Sequence, residues 1–471
     1  MVAQTARTFT LKNSDDGESE ITVFLPSQPR ADGMAIVGCP GGGYSHLSMQ
    51  NEGFDWAPFY NGNGIAYVVL KYRMPKGDRN IPLGDAYRAI RTVRDSAQVW
   101  GINPNAVGIQ GFSAGGHLAS AVSTHAPLLS RPNFSVLFYP VISMNEKITH
   151  KGSCQGFLGE GVNDEKLVNE WSSDRAVQRH LTPPALILTA HDDRTVPPVT
   201  NAIAYYSAMR NKGNECSLMV WPTGGHGFGF RSTFKYHEQM KAELLTWLNN
   251  LNLARADVKK IACVGNSITD GSGIDMAEIN GYPAVLQQIM GKDYYVKNLG
   301  VSGRTMMHTS LQPYMKERAW RDCKEWNPDI VVVKLGTNDS KTHLRAGLPD
   351  VFLADMQAMI DTLRQLPSNP RIYLCSPIPA VKDSWTITDS VIVNTVKPLI
   401  EQMAEQNKCE YIDLYTLMTP YVSTISDDGV HPTAKGAAQM ATFVADALKA
   451  EPRYALDAYK KVKKGKKARK K

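Results

Sequence analysis

Two serine residues stand in short motifs whose neighbours could turn a hydroxyl into a nucleophile. Ser113 lies in Gly-Phe-Ser-Ala-Gly, and Ser267 lies in Gly-Asn-Ser-Ile-Thr-Asp. A serine hydroxyl is a weak nucleophile until a histidine accepts its proton, and that histidine needs a carboxylate to orient it. Each motif is followed, in its own half of the chain, by residues that could supply both partners. The spacing therefore predicts acyl-transfer chemistry at two sites.

The first set of residues is built around Ser113. Glycines on both sides of this serine would permit the sharp turn from strand to helix that lifts a hydroxyl above a sheet. Asp193 and His226 follow in the order Ser, Asp, His, and we assign them as the carboxylate and the base. Asp192 is the alternative carboxylate.

An acyl-transfer site also needs preorganised donors for the negative charge that develops on the carbonyl oxygen. The run Pro-Gly-Gly-Gly-Tyr at 40–44 could place backbone N–H groups in this position. We expect the donors of the first site to be Gly42 and Gly43, together with the N–H of Ala114.

The second set consists of four blocks in order along the chain. Ser267 is the nucleophile of the first block. The second block, Asn-Leu-Gly-Val-Ser-Gly, ends at Gly303, and the third block, Gly-Thr-Asn-Asp, contains Asn338. Asp428 and His431 share the block Asp-Gly-Val-His, and a carboxylate and an imidazole three residues apart can face one serine from a single turn. The carboxylate and the base of the second site are thus both predicted from one short segment.

Regular elements must hold these motifs in place, and both halves alternate apolar runs with helix-like stretches. Such alternation predicts parallel sheets covered by helices on both faces. The motifs fall at the carboxyl ends of predicted strands, where sheets of this kind carry their sites. The predicted strands are 34–38, 65–70, 107–110, 136–139, 185–189 and 218–221, then 260–264, 294–298, 330–335, 372–375 and 411–414, and the main predicted helices are 238–251, 283–290, 351–366 and 391–406.

The motifs of the first half resemble those of α/β-hydrolase acetylesterases that act on plant polysaccharides. The four blocks of the second half resemble the SGNH (GDSL-like) hydrolases, whose members similar to this sequence are mostly carbohydrate O-acetylesterases. This resemblance implies that the Gly303 N–H and the Asn338 side chain donate to the carbonyl oxygen. The resemblance implies an α/β fold class with two doubly wound domains, an α/β-hydrolase fold over 1–253 and a smaller flavodoxin-like fold over 258–452. Residues 453–471 are expected to form a basic tail.

Composition agrees with a globular protein of more than one domain. The chain has 471 residues, of which 43% are hydrophobic and 21% charged. No apolar run approaches the roughly 20 residues that span a bilayer. The net charge of +7 comes from residues 460–471, which carry nine Lys and Arg, and 7 − 9 leaves −2 for the rest. We therefore expect no nucleic-acid partner; the tail is either a solvated chain end or a contact for an anionic surface.

The seven cysteines are scattered and form no CxxC pair. This pattern disfavours a disulfide framework or a zinc site, and serine chemistry needs no metal or organic cofactor, so we expect none. The N-terminus Met-Val-Ala-Gln-Thr-Ala-Arg has no apolar segment. Because a plant polymer lies outside the cell, we expect a secreted or periplasmic protein whose signal peptide is missing from this sequence, with the cytoplasm as the alternative.

The sequence favours a bifunctional serine esterase that removes acetyl groups from xylan-type polysaccharide. One alternative makes the first half a feruloyl or other bulky-acyl esterase, with Tyr44, Trp221 and Phe228 lining an acyl pocket. A second makes one half a non-catalytic carbohydrate-binding module, and a third makes the first half a serine peptidase. In the second half, Arg304 follows the donor glycine and could contact a polar substrate.

Overall fold

The computed structural model describes residues 7–456 and divides the chain into two compact units. The first unit is Met1–Ala256 and the second is Asp257–Lys471. The basic segment 460–471 lies outside the described residues.

The first unit is built on an eight-stranded sheet in the order β1-β2-β4-β3-β5-β6-β7-β8. Its strands are β1 (Arg7–Lys12), β2 (Glu20–Leu25), β3 (Ala35–Cys39), β4 (Ala66–Lys71), β5 (Val107–Phe112), β6 (Ser135–Phe138), β7 (Ala185–Ala190) and β8 (Cys216–Trp221). Strands β3 to β8 run parallel to one another, as their alternation with helices predicts.

The first two strands depart from the expected parallel sheet. Strand β1 pairs with β2, and β2 with β4, in antiparallel fashion. Between β1 and β2 the chain has a short turn at 13–19 and no helix, and strands joined so closely can only pair antiparallel. In β2 buried residues alternate with half-buried ones, a pattern typical of a strand near a sheet edge.

Helices cover both faces of this sheet and enclose two apolar clusters. Helices α2, α4 and α8 contribute to one cluster, and helices α1 and α9 to the other. The helices are α1 (Ala57–Gly62), α2 (Asn80–Asp95), α3 (Ala97–Trp100), α4 (Ala114–His125), α5 (Lys151–Leu158), α6 (Glu165–Trp171), α7 (Ser173–Ala176), α8 (Ala202–Asn211) and α9 (His237–Asn250).

The second unit has a five-stranded, fully parallel sheet in the order β10-β9-β11-β12-β13. Its strands are β9 (Lys259–Gly265), β10 (Tyr294–Gly300), β11 (Ile330–Lys334), β12 (Arg371–Cys375) and β13 (Glu410–Ile412). Its helices are α10 (Ser267–Asp270), α11 (Ala277–Asn280), α12 (Tyr282–Met290), α13 (Arg318–Trp326), α14 (Asp350–Leu363), α15 (Asp389–Val391), α16 (Lys397–Asn407), α17 (Leu414–Met418) and α18 (Ala434–Lys449). The predicted class, two doubly wound α/β domains, is confirmed.

Two glycines of the first unit make a matched test of the packing. Gly84 lies exposed in α2, where an added Cβ would meet nothing within 4 Å, whereas a Cβ on Gly108 in β5 would lie 2.2 Å from the ring of Phe134. We expect Gly84→Ala to stabilise the first unit by about 0.5–1 kcal/mol, because alanine favours the helix. We expect Gly108→Ala to destabilise it by about 1–3 kcal/mol through overpacking. Calorimetric transition temperatures that shifted in the same direction for both variants would contradict this.

Lys334 ends β11 with its ammonium buried, and this ammonium donates to the Thr337 hydroxyl at 3.5 Å. Burial lowers the pKa of Lys334 to about 7. An unfolded lysine titrates near 10.4, so between about pH 7 and 10 the unfolded state binds more protons and stability rises with pH. We expect Lys334→Met to raise the transition temperature of the second unit at pH 7. The advantage should shrink at pH 9.5, and an advantage equal at both pH values would contradict this.

Candidate functional site

Ser113 stands at the turn between β5 and α4. Its backbone has φ 53° and ψ −118°, a conformation that L-residues rarely adopt. The turn leaves no room for side chains at its glycines. A Cβ on Gly111 would lie 2.1 Å from the carbonyl oxygen of Gly115, and a Cβ on Gly115 would lie 2.2 Å from the carbonyl oxygen of Cys39. Glycine at both motif positions is therefore a steric requirement of the turn that presents Ser113.

The structure brings Ser113, His226 and Asp193 into one hydrogen-bonded chain. His226 Nε2 lies 2.8 Å from Ser113 Oγ, and His226 Nδ1 lies 2.7 Å from Asp193 Oδ2. The other carboxylate oxygen of Asp193 accepts the N–H groups of Thr195 and Val196, each at 2.9 Å. A carboxylate can only accept here, so Nδ1 carries the proton and Nε2 is free to accept the serine proton.

Asp192, the alternative carboxylate, is placed elsewhere. Its side chain is exposed and accepts the backbone N–H of Gly225 at 2.8 Å, an interaction that lowers its pKa. It therefore braces the loop before His226, while Asp193 contacts the imidazole itself.

The glycine run forms a turn beside Ser113. The carbonyl of Gly42 accepts the N–H groups of Ser45 and His46, and Gly42 and Gly43 have φ +135° and +64°. Within residues 7–456, the N–H groups of Gly42, Gly43 and Ala114 donate to no other protein group. Three uncommitted donors on the turn and at the start of α4 are thus available to a ligand.

A buried carboxylate that the sequence analysis did not single out ties this turn to the histidine loop. Glu52 accepts the N–H of Gly41 at 2.8 Å and the hydroxyl of Tyr139 at 2.7 Å. The Tyr139 hydroxyl in turn accepts the N–H of Gly229 at 2.9 Å, and the Tyr139 ring lies edge-on to His226 with centroids 4.9 Å apart. Burial raises the pKa of Glu52. No short motif marks Glu52, because its partners are distant in sequence.

His150 is a further residue of this region that the sequence analysis missed. It begins α5, where its Nδ1 accepts the backbone N–H of Ser153 at 3.2 Å. A Cβ on Gly43 would lie 3.1 Å from His150 Cε1, so the ring borders the glycine turn. Burial lowers the pKa of His150, and the nearby His226 lowers it further. With Nδ1 accepting, the neutral ring carries its proton on Nε2.

The three aromatic residues predicted to line an acyl pocket are buried. Tyr44 is 3% exposed, and its hydroxyl lies 2.8 Å from His117 Nδ1. Trp221 is 6% exposed and packs against Phe228 and Phe234. Phe228 is 3% exposed. Contact of these three rings with substrate stays a prediction, which their burial does not favour.

The second unit forms an equivalent chain of hydrogen bonds. Ser267 starts α10 directly after β9, and its Oγ lies 2.7 Å from His431 Nε2. His431 Nδ1 lies 2.8 Å from Asp428 Oδ2, and Asp428 Oδ1 accepts the N–H groups of Val430 and His431. Partial burial alone would raise the pKa of Asp428, but these hydrogen bonds lower it to about 2. The carboxylate therefore stays charged beside the imidazole at any ordinary pH.

The two donors predicted for the second site lie on neighbouring loops. Gly303 has φ +80°, and within the described residues its N–H donates to no protein group. The Asn338 amide donates one hydrogen to the carbonyl of Arg304 at 3.0 Å, which leaves its second hydrogen available. The buried Asp339 accepts the N–H groups of Met306 and Met307 and thereby fixes the loop that follows Gly303.

The Arg304 guanidinium donates hydrogen bonds to other groups of the protein. Its Nε donates to Glu317 at 2.9 Å, and another guanidinium nitrogen donates to the carbonyl of Ser302 at 2.8 Å. These contacts favour a role for Arg304 in fixing the loop of Gly303 rather than in contacting substrate.

Neither a metal cluster nor a membrane helix is found in the described part of the chain. Among residues 7–456, no group of three or more His, Cys, Asp or Glu could hold a metal ion. Within the same range, no helix is long and apolar enough to cross a bilayer.

Comparison with known proteins assigns each unit to a family. The model of the α/β-hydrolase fold matches residues 39–230, and that of the GDSL-like lipase/acylhydrolase family matches residues 263–439. The endo-1,4-β-xylanase B of Butyrivibrio fibrisolvens is 32% identical over 213 residues, which cover 42% of this chain and 32% of that protein. A crystal structure of an acetyl ester-xyloside bifunctional hydrolase from Caldicellulosiruptor lactoaceticus covers 53% of this chain and 97% of its own, at 31% identity and a TM-score of 0.47.

A further relative matches both units at once. The acetylxylan esterase of Xylanibacter ruminicola is 52% identical over 467 residues, which cover 95% of this chain and 97% of that protein. The chain therefore belongs to the same family of carboxylic ester hydrolases, in which an α/β-hydrolase domain is followed by a GDSL-like domain.

Proposed function

We propose that this protein removes O-acetyl groups from xylan-type polysaccharide at two independent serine sites, one in each unit. The observation that carries the proposal is the presence of two complete chains of hydrogen bonds from serine to histidine to carboxylate. A unit that only binds carbohydrate would not need such a chain of hydrogen bonds. The alternative in which one unit is a non-catalytic carbohydrate-binding module therefore has no support.

The same acylation step is proposed at each site. The serine Oγ attacks the acetyl carbonyl carbon while the histidine Nε2 takes the serine proton. The carbonyl oxygen becomes an oxyanion, and the proposed donors stabilise it: Gly42, Gly43 and Ala114 at the first site, and Gly303 and Asn338 at the second. The bond to the sugar oxygen then breaks, and the histidine returns its proton to that oxygen. The products are a free sugar hydroxyl and an acetyl-serine.

Water completes the cycle. The histidine takes a proton from a water molecule, whose oxygen attacks the acetyl-serine carbonyl, and the tetrahedral intermediate expels the serine oxygen. The proton returns from the histidine to the serine oxygen, and the product leaves as acetic acid, which releases its remaining proton to water and becomes acetate. The proposed role of Asp193 and Asp428 is to hold the Nδ1 tautomer and to stabilise the imidazolium that forms in both steps.

Acetylated xylan is the proposed substrate because the relative with 52% identity is an acetylxylan esterase. A feruloyl specificity for the first unit has weaker support, since the aromatic residues suggested for its acyl pocket, Tyr44, Trp221 and Phe228, are buried. Because such a polymer is outside the cell, we propose that the enzyme is exported.

Single and double serine substitutions test the independence of the two sites. We expect Ser113→Ala and Ser267→Ala each to keep the acetate-releasing activity of the remaining site. The double variant should lose at least about a thousandfold, because triad serines contribute very large factors to kcat. Acetate release from acetylated xylan and hydrolysis of an aryl acetate are the measurements. Complete loss of activity in either single variant would contradict two independent sites.

Neighbouring carboxylates provide a matched test of the first site. In the Ser267→Ala background, we expect Asp193→Asn to lower kcat by about 10⁴-fold, because an amide no longer holds the required histidine tautomer. Asp192→Asn is the control and should stay within a fewfold of its parent, since this exposed carboxylate contacts only the backbone of the loop. Equal losses in the two variants would refute the assignment of Asp193.

A further inference from the structure

An exposed tryptophan stands beside the second serine site in a strained conformation. Trp385 has φ 53° and ψ 30°, and the next residue, Thr386, has φ 63°. Left-handed backbone is unfavourable for a bulky residue, because its Cβ crowds the following carbonyl oxygen. The indole is also 56% exposed, so little burial offsets that cost. A strained and exposed aromatic side chain is a reason to look for a ligand.

The indole lies next to the proposed base of the second site. The rings of Trp385 and His431 meet edge-on, with centroids 5.6 Å apart and planes at 67°. His431 in turn contacts Ser267 at 2.7 Å. Only the His431 ring therefore separates the exposed apolar surface of the Trp385 indole from the Ser267 hydroxyl.

The loop that carries Trp385 is fastened to the loop that carries Asp428. Val381 N–H donates to the carbonyl of Gly429 at 2.8 Å, Lys382 Nζ donates to that of Asp427 at 2.7 Å, and Ser384 Oγ donates to that of Asp428. These bonds set the position of the indole relative to the triad.

The far side of the same loop is held as well. Arg345 donates to the Thr388 hydroxyl at 3.0 Å, and the N–H of Thr342 donates to the Thr386 hydroxyl at 3.3 Å. With contacts on both sides, the indole has a defined place beside the site.

The reaction determines which part of a substrate would meet this surface. The histidine that takes the serine proton must return it to the leaving oxygen, so the leaving sugar lies against the His431 side of the site. The acetyl oxygen lies instead near the donors Gly303 and Asn338. A pyranose ring presents an apolar face of C–H bonds, which packs well on an aromatic ring.

We propose that Trp385 is the platform on which the sugar ring of the leaving group stacks at the second site. The inference rests on the proposed function and adds a specificity-determining residue to it. An ester with a small aliphatic leaving group, such as ethyl acetate, has no ring to stack and should be indifferent to Trp385.

The test uses the full chain with Ser113→Ala as the parent, so that the second site alone is measured. We expect Trp385→Ala to raise KM for acetylated xylo-oligosaccharides by about tenfold, with kcat/KM for ethyl acetate within twofold of the parent. Trp385→Phe should restore most of the loss. Tyr421→Ala is the control: this exposed ring packs against Phe443, and its removal should change neither substrate.

Each other outcome has a distinct meaning. Equal losses on both esters would overturn the inference and show that Trp385 only positions His431. No loss on either ester would overturn it too and leave the indole as a surface for another protein. A parent inactive on both esters would instead refute the proposed second site, and the inference would fall with it.

Discussion

The hydrogen bond from a carboxylate to the Nδ1 of a histidine is the interaction on which both sites depend. A neutral imidazole has one donor and one acceptor nitrogen, and only the tautomer with the proton on Nδ1 can accept from a serine. In the first unit the side chain of Asp193 is fully enclosed and anchored by two backbone N–H groups. In the second unit Asp428 is anchored in the same way within a single turn. The remaining structure serves to bring a serine to the other nitrogen.

The two units meet this requirement with different amounts of long-range structure. The second unit takes carboxylate and histidine from one turn, so only Ser267 has to be positioned by the sheet. The first unit takes its three residues from the ends of three strands, β5, β7 and β8. It accordingly has an added brace, in which Glu52 and Tyr139 join the glycine turn to the loop after His226. The same arrangement of hydrogen bonds thus rests on local geometry in one unit and on the whole sheet in the other.

Predictions from the sequence were most complete where the residues that act together are close along the chain. The strands β3 to β13 and the approach of Ser113 to His226 follow from apolar runs and from motifs at strand ends. The antiparallel pair β1 and β2 was missed, because strands near a sheet edge bury few residues and so show only a weak apolar pattern in the sequence. Contact of Tyr44, Trp221 and Phe228 with substrate stays a prediction, since residue type does not reveal which way a ring points. Glu52 and Trp385 went unnoticed because their partners are brought together only by the fold.

The central claim is that two serine hydroxyls of one chain are activated independently. A fluorophosphonate reagent, which forms a stable ester with activated serines and ignores ordinary ones, tests this most directly when the intact chain is weighed by mass spectrometry. We expect two labels per chain, located by peptide mapping at Ser113 and Ser267, and one label in each single serine-to-alanine variant. A single label at saturating reagent, or the loss of both labels on substitution of one serine, would contradict the claim.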